Sequence, residues 1–138
     1  MTDVENRHKA LARYIFEEGW NKQNPDIVDE VFTHDFVYHG VANNRDEFKQ
    51  FWKVVLAAIP DIHFTVEDQI AEGDMTVHRW VFTGTHLGEW MGVPATGKKI
   101  VVPGMDIARF KDGKIAENWG IFDAVSMFQQ MGAYPPME

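Results

Sequence analysis

The chain predicts an α+β fold: a curved, mainly antiparallel sheet packed against N-terminal helices, with a pocket between them. Three observations carry this. Apolar residues recur at helical spacing through the first sixty positions and then switch to a period of two. The period-two segments are joined by short turns rather than by crossovers, so neighbouring strands run antiparallel. Ten Phe, five Trp and three Tyr among 138 residues form either a bulky core or the wall of a cavity, because rings bury large areas with few rotatable bonds.

In order, Thr2 or Asp3 caps a first helix that carries Val4, His8, Leu11, Ile15 and Phe16 on one side until Gly19 stops it, with Trp20 following. Asn24-Pro25 opens a short helix with Ile27, Val28, Val31 and Phe32 as its apolar face. A short strand, Phe36 to His39, follows. Asn43 or Asn44 caps a third helix, whose wide stripe of Phe48, Phe51, Trp52, Val55, Leu56 and Ile59 ends at Pro60.

From Ile62 the period is two, with Ile62, Phe64, Val66 and Ile70 on one face and His63, Thr65, Glu67 and Gln69 on the other. Glu72-Gly73-Asp74 turns the chain into a return strand, Met75 to Thr85. Gly88 to Gly97 is a long loop. Lys99 to Phe110 and Lys114 to Phe122 form a second hairpin around Lys111-Asp112-Gly113, and a last helix, Ala124 to Met131, stops at Gly132. No linker, repeat or low-complexity tract interrupts residues 1–138, which are read as one domain.

Composition excludes several classes of function. Hydrophobic residues at 45% and charged residues at 25% are ordinary for a globular protein and argue against disorder. A formal charge of −8 with no run of Lys or Arg argues against nucleic acid and anionic membrane as partners. Without cysteine there is no disulfide, thiolate nucleophile or Cys-type metal site. The N-terminal stretch is polar rather than signal-like, and no apolar run reaches the ~18 residues of a membrane span, so a cytoplasmic location is expected. The six His show no i, i+4 helical pair; His8 and His63 fit exposed positions and His34 a cap or turn, so no metal is expected. Phosphate-cradling, nucleophile-elbow and dinucleotide motifs are likewise absent from the sequence.

Hairpin pairing identifies polar residues that face inward. A three-residue turn at Glu72 to Asp74 sets Val66 opposite Trp80, Phe64 opposite Phe82 and Asp68 opposite His78 on the apolar face, and Glu67 opposite Arg79 outside. The same reading at Lys111 to Gly113 sets Asp106 opposite Asn118 and Gly104 opposite Gly120 inside, with Ile107 opposite Glu117 and Met105 opposite Trp119 outside. An inward carboxylate beside an amide or imidazole can move protons, so Asp106, Asn118 and His78 are the candidate catalytic residues. Such a group is as often a structural hydrogen-bonding residue. Trp20, Tyr38, His39, Trp52, Trp80, Gly104, Gly120 and Phe122 are the candidate lining of a pocket for a small apolar substrate.

The chain resembles the SnoaL-like polyketide cyclases, within the larger group that shares the nuclear transport factor 2 cone fold. The resemblance spans nearly the whole sequence. It lies in Phe64 to Asp74, in Gly84-Thr85-His86-Leu87-Gly88 leading to Gly92 through Lys98, in Asp112 to Trp119 and in Gln129 to Gly132. It implies a cone closed around a pocket and a ring closure by aldol condensation, without metal or other cofactor, using an inward Asp. The family's Asp falls at Gly120, and its neighbouring pocket positions fall at Gly104, Asp106, Asn118, Trp20 and Tyr38. The cone fold hosts many activities.

Three readings stay open: a cyclase or isomerase acting on a carbonyl compound through Asp106, a hydrolase or dehydratase of the epoxide-opening type using the same cavity, and a binding protein that lost its acid at Gly120. The outward face bearing Val81, Ile107, Trp119 and Ile121 is too apolar to stand free, and a homodimer through the sheet is expected.

Overall fold

A computed structural model describes residues 2–135; Met1, at the head of the polar N-terminal stretch, lies outside the described residues. The elements are α1 (Asp3–Tyr14), continued by a π-helical segment (Ile15–Trp20), then α2 (Ile27–Val31), β1 (Phe32–Tyr38), α3 (Arg45–Ala58), β2 (His63–Glu72), β3 (Met75–Thr85), β4 (Lys99–Lys111), β5 (Lys114–Phe122) and α4 (Ala124–Met131). The strands form one sheet in the order β1-β5-β4-β3-β2. Every neighbouring pair is antiparallel except β1 and β5, which are parallel. The sheet is curved and unclosed, and the helices cover its concave side.

α1 begins at a capping box in which Thr2 and Glu5 each satisfy the other's backbone N–H. Gly19 does not stop it. The helix widens to π spacing and runs through Gly19 to Trp20, because packing overrides the local signal. A Cβ at Gly19 would lie 2.5 Å from Ile27 Cδ1 and 2.9 Å from the Trp52 ring, so glycine is the residue that lets the three elements close on each other. Asn21 then pins the helix end to the edge strand β2: its Oδ1 accepts from the Phe64 N–H at 2.7 Å and its Nδ2 donates to the Phe64 carbonyl at 2.8 Å. Asn44 caps α3, whose Phe48, Trp52 and Val55 are buried. β1 starts at Phe32, earlier than its pattern predicts, because Phe32 pairs with Ile115 at the sheet edge.

Both hairpin turns contain two residues rather than three. Glu72 pairs with Met75 around Gly73-Asp74, with φ +60° at Gly73. Lys111 pairs with Lys114 around Asp112-Gly113, with φ +51° and +81°. Left-handed central residues give these tight turns the twist of their strands. Each hairpin also carries a bulge. In β2, Glu67 is the extra residue between Val66 and Asp68; in β5, Ala116 is the extra residue opposite the Arg109/Phe110 step.

Turns and bulges together correct the expected pairings. Val66 does face Trp80 and Phe64 does face Phe82, but Asp68 pairs with Arg79, and His78 pairs with Gln69. Beyond the bulge Ile70 is turned outward and is 65% exposed. In the second hairpin Asp106 pairs with Gly120, Gly104 with Phe122, and Asn118 with Ala108. On the outer face Met105 meets Ile121 and Ile107 meets Trp119. The slip there is two residues, so each side chain keeps its expected face while changing its partner. The burial of β4 accordingly alternates at every position, with Ile100, Val102, Gly104, Asp106, Ala108 and Phe110 inside.

Two histidines also depart from expectation. His8 is half-buried and stacks on Phe110, ring centroids 4.0 Å apart, and His34 lies exposed within β1 rather than in a cap or turn. No helix among the described residues is long and apolar enough to cross a membrane.

Candidate functional site

Between the helices and the concave face of the sheet lies a cavity of about 290 Å³. Each wall comes from a different element. The π-helical segment supplies Ile15, Phe16 and Trp20; α3 supplies Phe48, Phe51 and Val55; the sheet supplies Phe64, His78, Trp80, Phe82, Asp106, Asn118 and Phe122. Aromatic rings therefore close the cavity on the helix side and on the sheet side alike. Trp90 and Met91, from the loop between β3 and β4, line it as well.

The polar groups gather on the strands. Asp106 is 7% exposed, and its Oδ1 accepts two hydrogen bonds, from His78 Nδ1 at 2.9 Å and from the Trp80 indole N–H at 3.0 Å. Both donors are on β3, next to β4, so the sheet ladder fixes the carboxylate from one side. Its Oδ2 has no protein hydrogen bond among the described residues. His78 is almost wholly buried, and its Nε2 has no partner there either. With Nδ1–H held by the carboxylate, Nε2 of a neutral imidazole is an acceptor. Asn118 Oδ1 and Trp90 Nε1 are likewise buried without a partner among the described residues. The cavity thus presents several buried hydrogen-bonding atoms that no protein group among the described residues engages.

Tyr38 comes from the end of β1 and reaches across β5. Burial first, and the negative charge of Asp106 second, push its phenol up to about 12. A Cβ on Gly120 would sit 2.3 Å from the Tyr38 hydroxyl oxygen. The hydroxyl thus occupies the space that a side chain at position 120 would need.

Of the residues singled out in the sequence, Asp106, Asn118, His78, Trp20, Tyr38, Trp80, Gly120 and Phe122 all line the cavity. Three others do not. Trp52 is fully buried behind the wall, stacked on Trp20 at 4.1 Å between centroids. Gly104 lies beneath the Trp80 ring, which would be 2.4 Å from a Cβ there. His39, one residue past β1, points outward, bonded to Glu117 at 2.9 Å and stacked on Trp119. The Asp106 and Asn118 side chains are not cross-strand partners, since Asn118 stands opposite Ala108.

The sequence reading missed Phe16, Phe51 and Met91 as lining residues and left Trp90 out of the candidate set. Phe16 and Phe51 were visible only as members of apolar helix faces. Trp90 carried a signal: a large ring in a loop of Gly, Pro and Thr is out of place unless it folds back onto something apolar. Among the described residues no three His, Asp or Glu side chains converge as metal ligands.

Comparison with known proteins matches a family model of SnoaL-like polyketide cyclases to residues 10–131. Aklanonic acid methyl ester cyclase DauD of Streptomyces sp. strain C5 is 22% identical over 123 residues, covering 83% of this chain and 76% of DauD. The candidate polyketide cyclase IdmH of Streptomyces antibioticus is 31% identical, with a TM-score of 0.79 over 91% of this chain and 98% of IdmH. A candidate SnoaL-like polyketide cyclase from Jannaschia sp. CCS1 superimposes with a TM-score of 0.88 at 25% identity, over 98% of both chains.

Proposed function

This chain belongs to the SnoaL-like polyketide cyclase family, and from that premise we propose that it closes a ring in a small, largely apolar carbonyl compound by acid/base catalysis, with Asp106 as the proton-transferring group and no cofactor. One observation carries the reading. Asp106 is buried at the cavity wall with Oδ1 immobilised by His78 and Trp80, while Oδ2 has no protein partner among the described residues. A carboxylate fixed in this way needs no reorganisation before it meets a substrate proton.

In the reaction, Asp106 Oδ2 takes a proton from the carbon next to a carbonyl. The C–H electron pair becomes the C=C bond of the enolate, and the carbonyl π pair moves to oxygen. The enolate carbon then attacks a second carbonyl in the same molecule, and the new alkoxide takes the proton back from Asp106. One C–C bond forms, and the proton ends on oxygen. His78 and Trp80 orient the carboxylate, while Trp20, Phe122 and Asn118 shape and position the substrate. The naming of DauD as an aklanonic acid methyl ester cyclase supports this class of reaction.

The first step is testable without the natural substrate. 2-Tetralone is a bicyclic ketone with exchangeable α-hydrogens, and its deuterium uptake is read by NMR. The wild type is expected to accelerate uptake, and Asp106→Asn to lower that rate by about 10²–10⁴-fold while binding, read from quenching of the five tryptophans, persists. Equal rates for wild type and variant overturn the assignment. Binding without exchange in the wild type turns the reading to a binding protein.

We further propose that two copies pair through the outer face of the sheet, where Val101, Met105, Ile107 and Ile121 are exposed and Ile121 reaches 73%.

A further inference from the structure

We propose that Gly120 and Tyr38 act as one unit: the missing side chain at 120 admits the Tyr38 hydroxyl to the wall beside Asp106, where it donates a hydrogen bond to the oxyanion that Asp106 generates. This assignment rests on the acid/base reading above and gives that reading the donor it lacks.

The geometry comes from two strands. Gly120 on β5 is the direct cross-strand partner of Asp106 on β4. A Cβ at Gly120 would be 2.3 Å from Tyr38 Oη, nearer than real Cβ contacts come, and 3.2 Å from Cζ, a tight contact. A side chain at position 120, where the family resemblance places an acid, therefore displaces the Tyr38 hydroxyl from its present place. In this chain the inward carboxylate stands on the neighbouring strand, at Asp106, and the phenol fills the space beside Gly120.

The hydroxyl is equipped for that role. Phe48 and Phe51 pack against the Tyr38 ring, each with centroids 6.0 Å away, so the ring has a defined place. The hydroxyl makes no hydrogen bond to protein among the described residues, which leaves its proton for a ligand. Its ionisation is displaced up to about 12, so it stays a donor at any physiological pH. An enolate oxygen beside it gains a hydrogen bond at the moment its negative charge appears, and a ground-state carbonyl gains less. Tyr38 keeps its proton throughout; the proton that moves travels between carbon, Asp106 and the product alkoxide.

The test uses the 2-tetralone exchange assay and a crystal structure. Tyr38→Phe is expected to lower the maximal exchange rate by about 10²-fold with little change in KM. Gly120→Ala is expected to cause a loss of similar size, because the added methyl displaces the hydroxyl, and a crystal structure of that variant is expected to show the ring moved away from Asp106. The double variant is expected to be no worse than Tyr38→Phe alone, since both changes remove the same interaction. A Tyr38→Phe enzyme at wild-type rate overturns the proposal, as do additive losses in the double variant or an unmoved Tyr38 ring in Gly120→Ala. If wild type exchanges no faster than Asp106→Asn, the acid/base reading itself fails and the role of Tyr38 falls with it. If wild type is faster than Asp106→Asn but matched by Tyr38→Phe, the present proposal alone fails.

Discussion

The two hairpins of the sheet are built alike and differ in what their irregularities do. Each has a two-residue turn and one bulge. In the β2–β3 hairpin the bulge at Glu67 compensates the short turn, so the pairs over the cavity, Val66–Trp80 and Phe64–Phe82, stand where a simple three-residue turn would put them. In the β4–β5 hairpin the bulge at Ala116 adds to the short turn, and every pair beyond it moves by two residues. That movement puts Gly120, instead of Asn118, opposite Asp106. The first hairpin supplies His78 and Trp80, which hold Asp106, and the second sets which residue stands opposite it. A bulge that looks like a defect in the ladder decides which atoms meet at the site.

The largest effect that tests this difference is removal of each bulge. Deleting Ala116 forces a one-residue slip that sends either Asn118, Gly120 and Phe122 or the buried Ile115 to the wrong face. The turn-proximal arm is too short and too buried to absorb it. The expected cost is about 3–5 kcal/mol of unfolding free energy, with loss of 2-tetralone exchange. Deleting Glu67 sends only Asp68 through Glu72 to the other face, and those residues are exposed or half-exposed. Its expected cost is about 1–2 kcal/mol, with exchange retained. Denaturant titration of both deletions checks the asymmetry; equal costs would show that the bulges do not set the two registers differently.

The same two hairpins mark how far the sequence was legible. Alternation along β4 placed Asp106 and Gly104 inside, and the burial of that strand follows it residue by residue. Face depends only on parity, which an error of two leaves untouched. Partner depends on the absolute register, and neither Glu67 nor Ala116 differs in kind from its neighbours in a way that announces a bulge. Gly19 shows the same limit in the helices: a residue that locally ends a helix was retained because Ile27 and Trp52 need its space. That contact joins residues far apart in the chain, and no local pattern carries it. His39 was misplaced because a position one residue past the end of β1 no longer follows the strand's alternation.

A smaller effect sharpens the link between the hairpins. Trp80→Phe removes the indole donor to Asp106 Oδ1 and leaves that carboxylate with His78 alone. Hydrogen bonds to charged groups contribute more than neutral ones, and the expected loss is about 1.5–3 kcal/mol of stability, part of it from the smaller ring. The freed volume lies against Gly104, where a Cβ now meets the far edge of the Trp80 ring. Gly104→Ala is therefore expected to be poorly tolerated in wild type and only partly relieved in Trp80→Phe, because the Ile121 carbonyl oxygen also stands 2.7 Å from that Cβ. Additive costs in thermal melts would mean that the two positions do not share that space.

The outer faces of the hairpins give the smallest effects on folding and the clearest contrast in association. Over the first hairpin, Arg79 donates from Nε and Nη2 to Asp68 Oδ2 at 2.8 and 2.6 Å, with both side chains more than half exposed. Such a pair is well solvated and screened, so Arg79→Ala is expected to change stability by less than about 1 kcal/mol and association not at all. Over the second hairpin, Met105 and Ile121 face each other in the open. Ile121→Glu is expected to leave the fold about as stable as Arg79→Ala does, because nearly three-quarters of the residue is exposed, but to give monomers in light scattering where the wild type gives dimers. An apolar residue left this exposed is stabilised only by covering it, and the sheet's curvature, concave toward the cavity, presents the covering surface on the opposite side. A monomeric wild type at the same concentration would remove the homodimer and leave the exposed face of the second hairpin without a partner.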